Sequence, residues 1–151
     1  MSDAPRILVD ADACPVKEEI YRVASRYRVP VTIVSNAFIR IPADPLISRI
    51  VVSDAFDAAD DWIAEAAGIA TIVITADILL AKRCLEVGAA VLSHTGRPFT
   101  SASIGSAIAT RAIMADLRAG GEQLGGPPPF GKADRSRFLQ NLDAAVVRLR
   151  R

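Results

Sequence analysis

Two aspartates spaced by one residue follow a short apolar run near the start of the chain. The run is Ile7-Leu8-Val9, the acids are Asp10 and Asp12, and a Cys-Pro pair ends the segment. In an open α/β sheet, ligands bind at the carboxyl ends of the strands. Two carboxylates at such a position suit either the coordination of a hard cation or a nucleophile with its acid/base partner. We therefore take Asp10 and Asp12 as candidate catalytic residues.

Further carboxylates follow the same pattern later in the chain. Asp77 ends the apolar run Val73-Ile-Thr-Ala, and is the third catalytic candidate. Asp57, Asp60 and Asp61 have the spacing of one helix face, although acids in a first turn also complement the helix dipole and Asp57 is a natural N-cap. We therefore expect one of those three in the site and assign the other two to capping or solvent. The candidate metal ligands are Asp10, Asp57, Asp60, Asp61 and Asp77.

Carboxylates around one crevice predict a particular kind of metal site. Mg²⁺ and Mn²⁺ prefer oxygen ligands and often retain water. The chain has a single histidine, His94, which excludes the usual catalytic zinc sites with several histidines. A bound Mg²⁺ or Mn²⁺ activates water and stabilises charge on a phosphoryl oxygen. The residues thus predict the chemistry of an acidic-pocket nuclease.

These side chains meet only if a parallel sheet positions them. The predicted strands are Arg6–Asp10, Val31–Ser35, Ile50–Val52, Thr71–Thr75 and Ala89–Leu92. The predicted helices span residues 15–27, 57–67, 78–87, 103–118 and 134–149. This alternation is typical of an α/β fold, here a three-layer α/β/α arrangement with a mostly parallel sheet. If the first strand lies beside the fourth, Asp10 and Asp12 face Asp77.

The length of the chain, 151 residues, predicts a single domain over residues 1–151. The sequence predicts a Pro/Gly-rich loop over residues 125–133 and an amphipathic C-terminal helix over residues 134–150. The apolar stripe of that helix predicts docking on the domain or on a partner subunit, which leaves room for a homodimer. No apolar run is long enough to cross a bilayer and no signal peptide is visible, so we expect a cytoplasmic protein without membrane contact.

Charge is distributed unevenly along the chain. Residues 1–77 carry twelve acidic and seven basic residues, whereas residues 78–151 carry five acidic and eleven basic residues. An acidic pocket beside a basic surface suits the cleavage of a phosphodiester backbone. The candidate substrate-binding residues are Lys17, Asn36, Arg97, Lys132, Arg135 and Arg137.

Several motifs together resemble the YaiI/YqxD family of uncharacterised bacterial proteins, which are related to PIN-like and NYN nucleases. They are Asp10-Ala-Asp-Ala-Cys-Pro-Val-Lys17, Asp57-Ala-Ala-Asp-Asp-Trp-Ile63, Val73-Ile-Thr-Ala-Asp77, and Gly-Gly-Pro-Pro-Pro-Phe130 with Asp134-Arg-Ser-Arg-Phe138. The resemblance covers nearly the whole chain. It implies a PIN-like α/β/α domain with a metal-dependent nuclease site, and favours RNA over DNA as the substrate.

Two other functions remain open from the residues. Asp10-Ala-Asp12 after an apolar strand also resembles the opening motif of haloacid-dehalogenase-like phosphohydrolases, with Asp10 as the nucleophile and Asp12 as the acid/base. In that case Thr75 and Lys82 supply the second and third motifs, but the sequence offers no strand-terminal acidic pair for the fourth. The remaining alternative is a non-catalytic module that binds nucleic acid or a partner.

Overall fold

Strands and helices alternate along the chain in the computed structural model, which describes residues 4–12, 14–55, 57–105 and 130–150. The strands are β1 (Arg6–Asp10), β2 (Val31–Ser35), β3 (Ile47–Val51), β4 (Thr71–Ile74) and β5 (Ala90–Leu92). The helices are α1 (Lys17–Tyr27), α2 (Ala58–Ala66), α3 (Ile78–Glu86) and α4 (Lys132–Arg150), and residues 101–105 are also helical. The predicted α/β fold with a C-terminal helix is therefore confirmed.

The strands form one parallel sheet in the order β3-β2-β1-β4-β5. β1 lies at the centre and pairs with β4, as predicted, with Val9 opposite Ile74. From β1 the chain adds β2 and β3 on one side of the sheet, and then β4 and β5 on the other side. The boundary between β1 and β4 is therefore the switch point, where ligands bind in open α/β sheets. Asp10 and Thr75 therefore emerge side by side at the carboxyl edge.

Both faces of the sheet are covered, which explains why its inner strands read as continuous apolar runs. Ile7 and Val9 of β1 point to the face that α1 and α4 cover, whereas Leu8 points to the face that α2 and α3 cover. The same alternation continues in β4. The three-layer arrangement follows from this division of the core into two clusters.

The C-terminal helix docks on its own domain. Phe138, Leu142 and Val146 of α4 are fully buried in the cluster that also holds α1. Polar contacts fix the register of the two helices, because the Tyr27 hydroxyl donates to Asp143 Oδ1 at 2.7 Å. The sequence left open whether the apolar stripe of this helix docks on the domain or on a partner subunit. In the structure the stripe packs on the core of its own domain.

Some predicted boundaries were wrong. β3 starts at Ile47 rather than Ile50, because it is an edge strand whose exposed Ser48 and half-buried Arg49 hide it from a search for apolar runs. The C-terminal helix starts at Lys132, two residues earlier than predicted. Of the predicted 103–118 helix, residues 103–105 are helical, and the remainder lies outside the described residues, as does most of the 125–133 loop.

Among the described residues, no helix has both the length and the apolar character to cross a bilayer.

A close backbone contact joins α4 to the turn after β5. Gly96 has φ +84°, and a Cβ on it would lie 2.7 Å from the Phe138 Cα and 2.8 Å from the Arg137 carbonyl oxygen. Asn141 Nδ2 of the same helix donates to the Gly96 carbonyl oxygen at 2.6 Å. Only glycine fits this position.

We expect Gly96→Ala to lower the free energy of unfolding by about 2–4 kcal/mol, because it adds overpacking to an unfavourable backbone conformation. Gly68→Ala is the matched control, since a Cβ at Gly68 meets nothing within 4 Å. We expect that variant to stay within about 1 kcal/mol of the wild type. Urea denaturation measures both, and equal midpoints would contradict the contact.

Candidate active site

A cleft lined by aspartates opens at the carboxyl edge of the sheet. Its larger cavity, of about 620 Å³, is lined by six of them, together with Asn36 and Arg83. A smaller cavity of about 390 Å³ adjoins it, shares three of the aspartates and is also lined by His94. We call this the acidic cleft, and its aspartates are Asp10, Asp12, Asp54, Asp57, Asp60 and Asp77.

Asp10 lies at the end of β1 and is half-buried. The hydroxyl of Thr75, which follows β4, donates to Asp10 Oδ2 at 2.8 Å. Burial raises the pKa of Asp10, the neighbouring charges of Asp12 and Asp77 raise it further, and the Thr75 hydrogen bond opposes the rise. Asp10 is therefore a fixed carboxylate in a field of negative charge, which is a favourable setting for a cation.

Asp77 is held by the start of α3. Its Oδ1 accepts hydrogen bonds from the backbone N–H groups of Leu79 at 2.8 Å and Leu80 at 3.1 Å, so Asp77 is the N-cap of the helix. Its own N–H donates to Thr75 Oγ1 at 3.0 Å. One threonine hydroxyl thus connects Asp10 and Asp77, and among the described residues no hydrogen bond involves Oδ2 of Asp77.

The three acids at the start of α2 have different surroundings. Asp57 occupies the N-cap position with φ +67°, but its side chain makes no capping hydrogen bond, and it lines the acidic cleft. Asp60 lines the cleft as well. Asp61 is exposed and pairs with Arg83 NH1 at 2.8 Å. The helix therefore presents Asp57 and Asp60 to the cleft and ties Asp61 to α3.

The pKa of Asp60 is strongly raised by its surroundings in the cleft. Burial and the charges of Asp77, Asp10 and Asp57 raise the pKa of Asp60 to about 6, and Arg83 opposes the rise. The ordinary pKa of an aspartate is about 3.9. A carboxyl group with a pKa near neutrality is able to exchange a proton at physiological pH.

The structure separates the predicted substrate-binding residues into two groups. Asn36 lines the acidic cleft. Lys17 lies near the cleft, at the start of α1, where its Nζ donates to the Cys14 carbonyl oxygen at 3.4 Å. Arg97 is exposed on the turn after β5, and its backbone N–H donates to Ser93 Oγ.

The basic residues of α4 lie elsewhere. Lys132 and Arg135 line a separate cavity beside α1. Arg135 NH1 donates at 2.8 Å both to Glu19 Oε1 and to the Pro15 carbonyl oxygen. Arg137 pairs with Asp134 at 3.3 Å. Arg135 and Arg137 thus have structural partners, and their predicted contact with nucleic acid stays a prediction.

Three residues that line the acidic cleft were not among the site residues predicted from the sequence. His94 lines the smaller cavity, and its Nε2 is buried without a hydrogen-bond partner among the described residues. Burial lowers the pKa of His94, and the charge of Lys17 lowers it further. Asp54 and Arg83 line the larger cavity. Their positions in the sequence could have predicted two of them, because His94 follows β5 and Asp54 follows β3 at the same edge of the sheet.

Apart from the His94 imidazole, the metal donors that line the cleft are mainly carboxylate oxygens, which suits Mg²⁺ or Mn²⁺. Within the described ranges, no three His, Cys, Asp or Glu side chains are grouped closely enough to hold a metal ion by themselves. Mg²⁺ usually keeps several waters and takes one or two carboxylates together with substrate phosphates. The arrangement therefore fits a partly hydrated cation better than an ion enclosed by protein ligands.

The fold and the site define a three-layer α/β protein with an aspartate-lined cleft at the switch point of its sheet. Residues 8–148 match the family described as the uncharacterised YaiI/YqxD family. The chain belongs to this family, and the resemblance found in its motifs is confirmed.

Its relatives match over nearly their full length. The chain is 72% identical over 149 residues to a UPF0178 protein of Sphingopyxis alaskensis, covering 98% of this chain and 97% of that protein. It is 57% identical over 148 residues to a UPF0178 protein of Nitrobacter winogradskyi, covering 98% and 94%. No solved structure matches the chain.

The raised pKa of Asp60 predicts a cost in stability at neutral pH. We expect Asp60→Asn to increase the free energy of unfolding at pH 7.5 by about 1 kcal/mol, a value reduced for solvent screening of a partly exposed carboxyl group. A group whose pKa is raised on folding loses its stabilising contribution as the pH rises. The gain should therefore be absent near pH 4 and complete above about pH 6.5.

Urea denaturation at a series of pH values measures this difference. Asp61→Asn is the matched control, because it removes the same charge from an exposed carboxylate that pairs with Arg83 and does not itself line the cleft. We expect that variant to be unchanged or slightly less stable. A gain in stability for Asp61→Asn equal to that for Asp60→Asn would mean that net charge, rather than the cleft, is responsible.

Proposed function

We propose that this protein is a metal-dependent nuclease, with RNA as its substrate. The observation that carries the proposal is the convergence of six aspartates on one cleft, where burial and the charges of neighbouring aspartates raise the pKa of Asp60 to about 6. Crowded carboxylates are unfavourable unless a cation compensates them. A Mg²⁺ or Mn²⁺ ion supplies that compensation.

Asp10 and Asp77 are the best candidates to hold the metal. Both are fixed in place by Thr75, and each keeps a carboxylate oxygen beyond the hydrogen bonds described above. Asp12 and Asp57 also line the cleft and are exposed, so they are available for further contacts through water. When bound, the metal would polarise a phosphoryl oxygen and lower the pKa of water.

Proton transfer requires a group that titrates near the working pH. Asp60 meets this condition best among the aspartates of the cleft, because its pKa is raised to about 6. Its carboxylate would accept the proton of the attacking water. In this proposal Asp10 and Asp77 hold the metal, Asp12 is available for contacts through water, and Asp60 acts as the base.

The choice of substrate rests on charge and on resemblance. The basic residues of the second half of the chain suit a polyanion, and Arg83 brings one positive charge to the larger cavity. The preference for RNA comes from the resemblance of the motifs to PIN-like nucleases, and is a fold-level analogy.

The phosphohydrolase alternative has weaker support. Thr75 does lie beside Asp10, with its hydroxyl donating to the carboxylate. Lys82, however, lines another cavity with Leu85 and Ser101. A nucleophilic Asp10 therefore lacks the lysine that the sequence offered, which favours the nuclease.

Metal binding and cleavage can be tested on one pair of variants. We expect Mn²⁺ to bind the wild type in calorimetry, and Asp10→Asn to weaken binding by about tenfold or more. Cleavage of single-stranded RNA with Mg²⁺ or Mn²⁺ should fall at least about 100-fold in that variant. Asp61→Asn makes the same substitution at an aspartate that pairs with Arg83, and should retain both properties.

Each outcome decides between the functions. Turnover of a phosphate monoester alone would replace the nuclease with a phosphohydrolase. Metal or RNA binding without turnover would indicate a non-catalytic module. Equal losses in Asp10→Asn and Asp61→Asn would contradict the assignment of the site, and neither binding nor turnover in the wild type would overturn the proposal.

A further inference from the structure

An exposed phenylalanine lies on the segment that leaves β2. The side chain of Phe38 is 72% exposed, although burial of an aromatic ring normally stabilises a fold. The segment starts at Asn36, which lines the acidic cleft. Two residues span at most about 7 Å, so the Phe38 backbone lies within that distance of Asn36.

The ring is held in place although it faces solvent. The Ser35 hydroxyl, on a fully buried residue, donates to the Ala37 carbonyl oxygen. Arg49 NH1 of β3 donates to the Ile39 carbonyl oxygen at 3.1 Å, and the Arg49 guanidinium carbon lies 3.9 Å from the centre of the Phe38 ring. The backbone is therefore anchored on both sides of Phe38, and one ring face is covered by a cation.

The charges around this ring differ from those of the cleft. Arg40 is exposed and Arg49 is half-buried, and neither pairs with a carboxylate in the part of the chain that the structure describes. An aromatic face beside positive charge is the combination with which proteins bind single-stranded nucleic acid, because bases stack on the ring and phosphates meet the arginines.

We infer that Phe38, Arg40 and Arg49, here called the Phe38 platform, bind single-stranded nucleic acid next to the acidic cleft. A base stacks on the free face of Phe38, and the two arginines contact the backbone. Asn36, two residues before Phe38, lines the cleft and so connects the two sites along the chain. The inference extends the proposed function, because it names the unpaired strand as the form of substrate and gives its path to the cleft.

Fluorescence anisotropy with labelled oligonucleotides tests the platform apart from catalysis. Binding of a single-stranded RNA, the matching DNA strand and a double-stranded RNA is measured with EDTA, and again with Mn²⁺ on the Asp10→Asn background to prevent cleavage. We expect the single strands to bind more tightly than the duplex, whose bases are not free to stack.

Four substitutions at the platform have distinct expected effects. Phe38→Ala and Phe38→Leu should each weaken binding of the single strand by about tenfold or more, since neither side chain has a π face. Phe38→Trp should preserve binding. Arg40→Gln should weaken binding to all single strands and reduce the salt dependence by about one phosphate contact.

Two control substitutions lie away from the platform. Ile69→Ala removes an 80% exposed apolar side chain just before β4, at the opposite edge of the sheet. Arg148→Gln removes an exposed charge from α4. Both should bind as the wild type does.

The outcomes separate this inference from the proposed nuclease. Binding that depends on Phe38 without any cleavage would support the platform and contradict the nuclease. Cleavage with full binding by Phe38→Ala would support the nuclease and overturn the platform. Equal binding by Phe38→Leu and the wild type would exclude stacking, and a wild type that binds no oligonucleotide in either condition would overturn the inference and favour a protein partner.

Discussion

The pairing of β1 with β4 is the interaction on which the acidic cleft depends. It sets Val9 opposite Ile74, so that Asp10 and Thr75 follow at the same level of the sheet edge. Thr75 then connects Asp10 to the backbone of Asp77 through one hydroxyl group. A shift of this register by one residue would move the apolar side chains of the strand to the wrong face. The core therefore enforces the positions of the carboxylates.

The cleft concentrates negative charge that the rest of the fold must offset. Asp77 is partly compensated, because its Oδ1 accepts two N–H groups at the start of α3. Asp61 is compensated by Arg83, whereas Asp60 is crowded by three other aspartates. Sites that are unfavourable for stability and kept by an otherwise consistent fold are often functional sites. The proposed roles of Asp60 and Asp61 rest on this unequal compensation.

The C-terminal helix stabilises both sides of the cleft from outside it. Arg135 holds the Pro15 carbonyl oxygen in the segment that follows Asp12, and Asn141 holds Gly96 in the turn that carries His94. Phe138 buries its ring between these two contacts along the same helix. The sequence predicted that the basic residues of this helix contact nucleic acid. In the structure, Arg135 instead joins α4 to α1 and to the segment before it, through Glu19 and the Pro15 carbonyl oxygen. Arg40 and Arg49 were not predicted from the sequence as contacts. Both lie on the stretch of chain between Asn36 and Asp54, which line the acidic cleft.

The sequence by itself determined the α/β architecture, the order of its elements and the aspartates that end β1 and follow β4. These features depend on local pattern, because buried strands read as apolar runs and their carboxyl ends are marked by acids. The edge strand β3 was predicted only in part, because Ser48 and Arg49 interrupt its apolar pattern. Only the tertiary structure decided that Asp60 and Asp57 line the cleft while Asp61 pairs with Arg83, and that His94 joins the site. Asp60 and Asp61 are adjacent on one helix and have the same local sequence pattern. Their surroundings differ only in the folded protein, where α3 supplies Arg83 to Asp61 and Asp60 lines the cleft at the sheet edge.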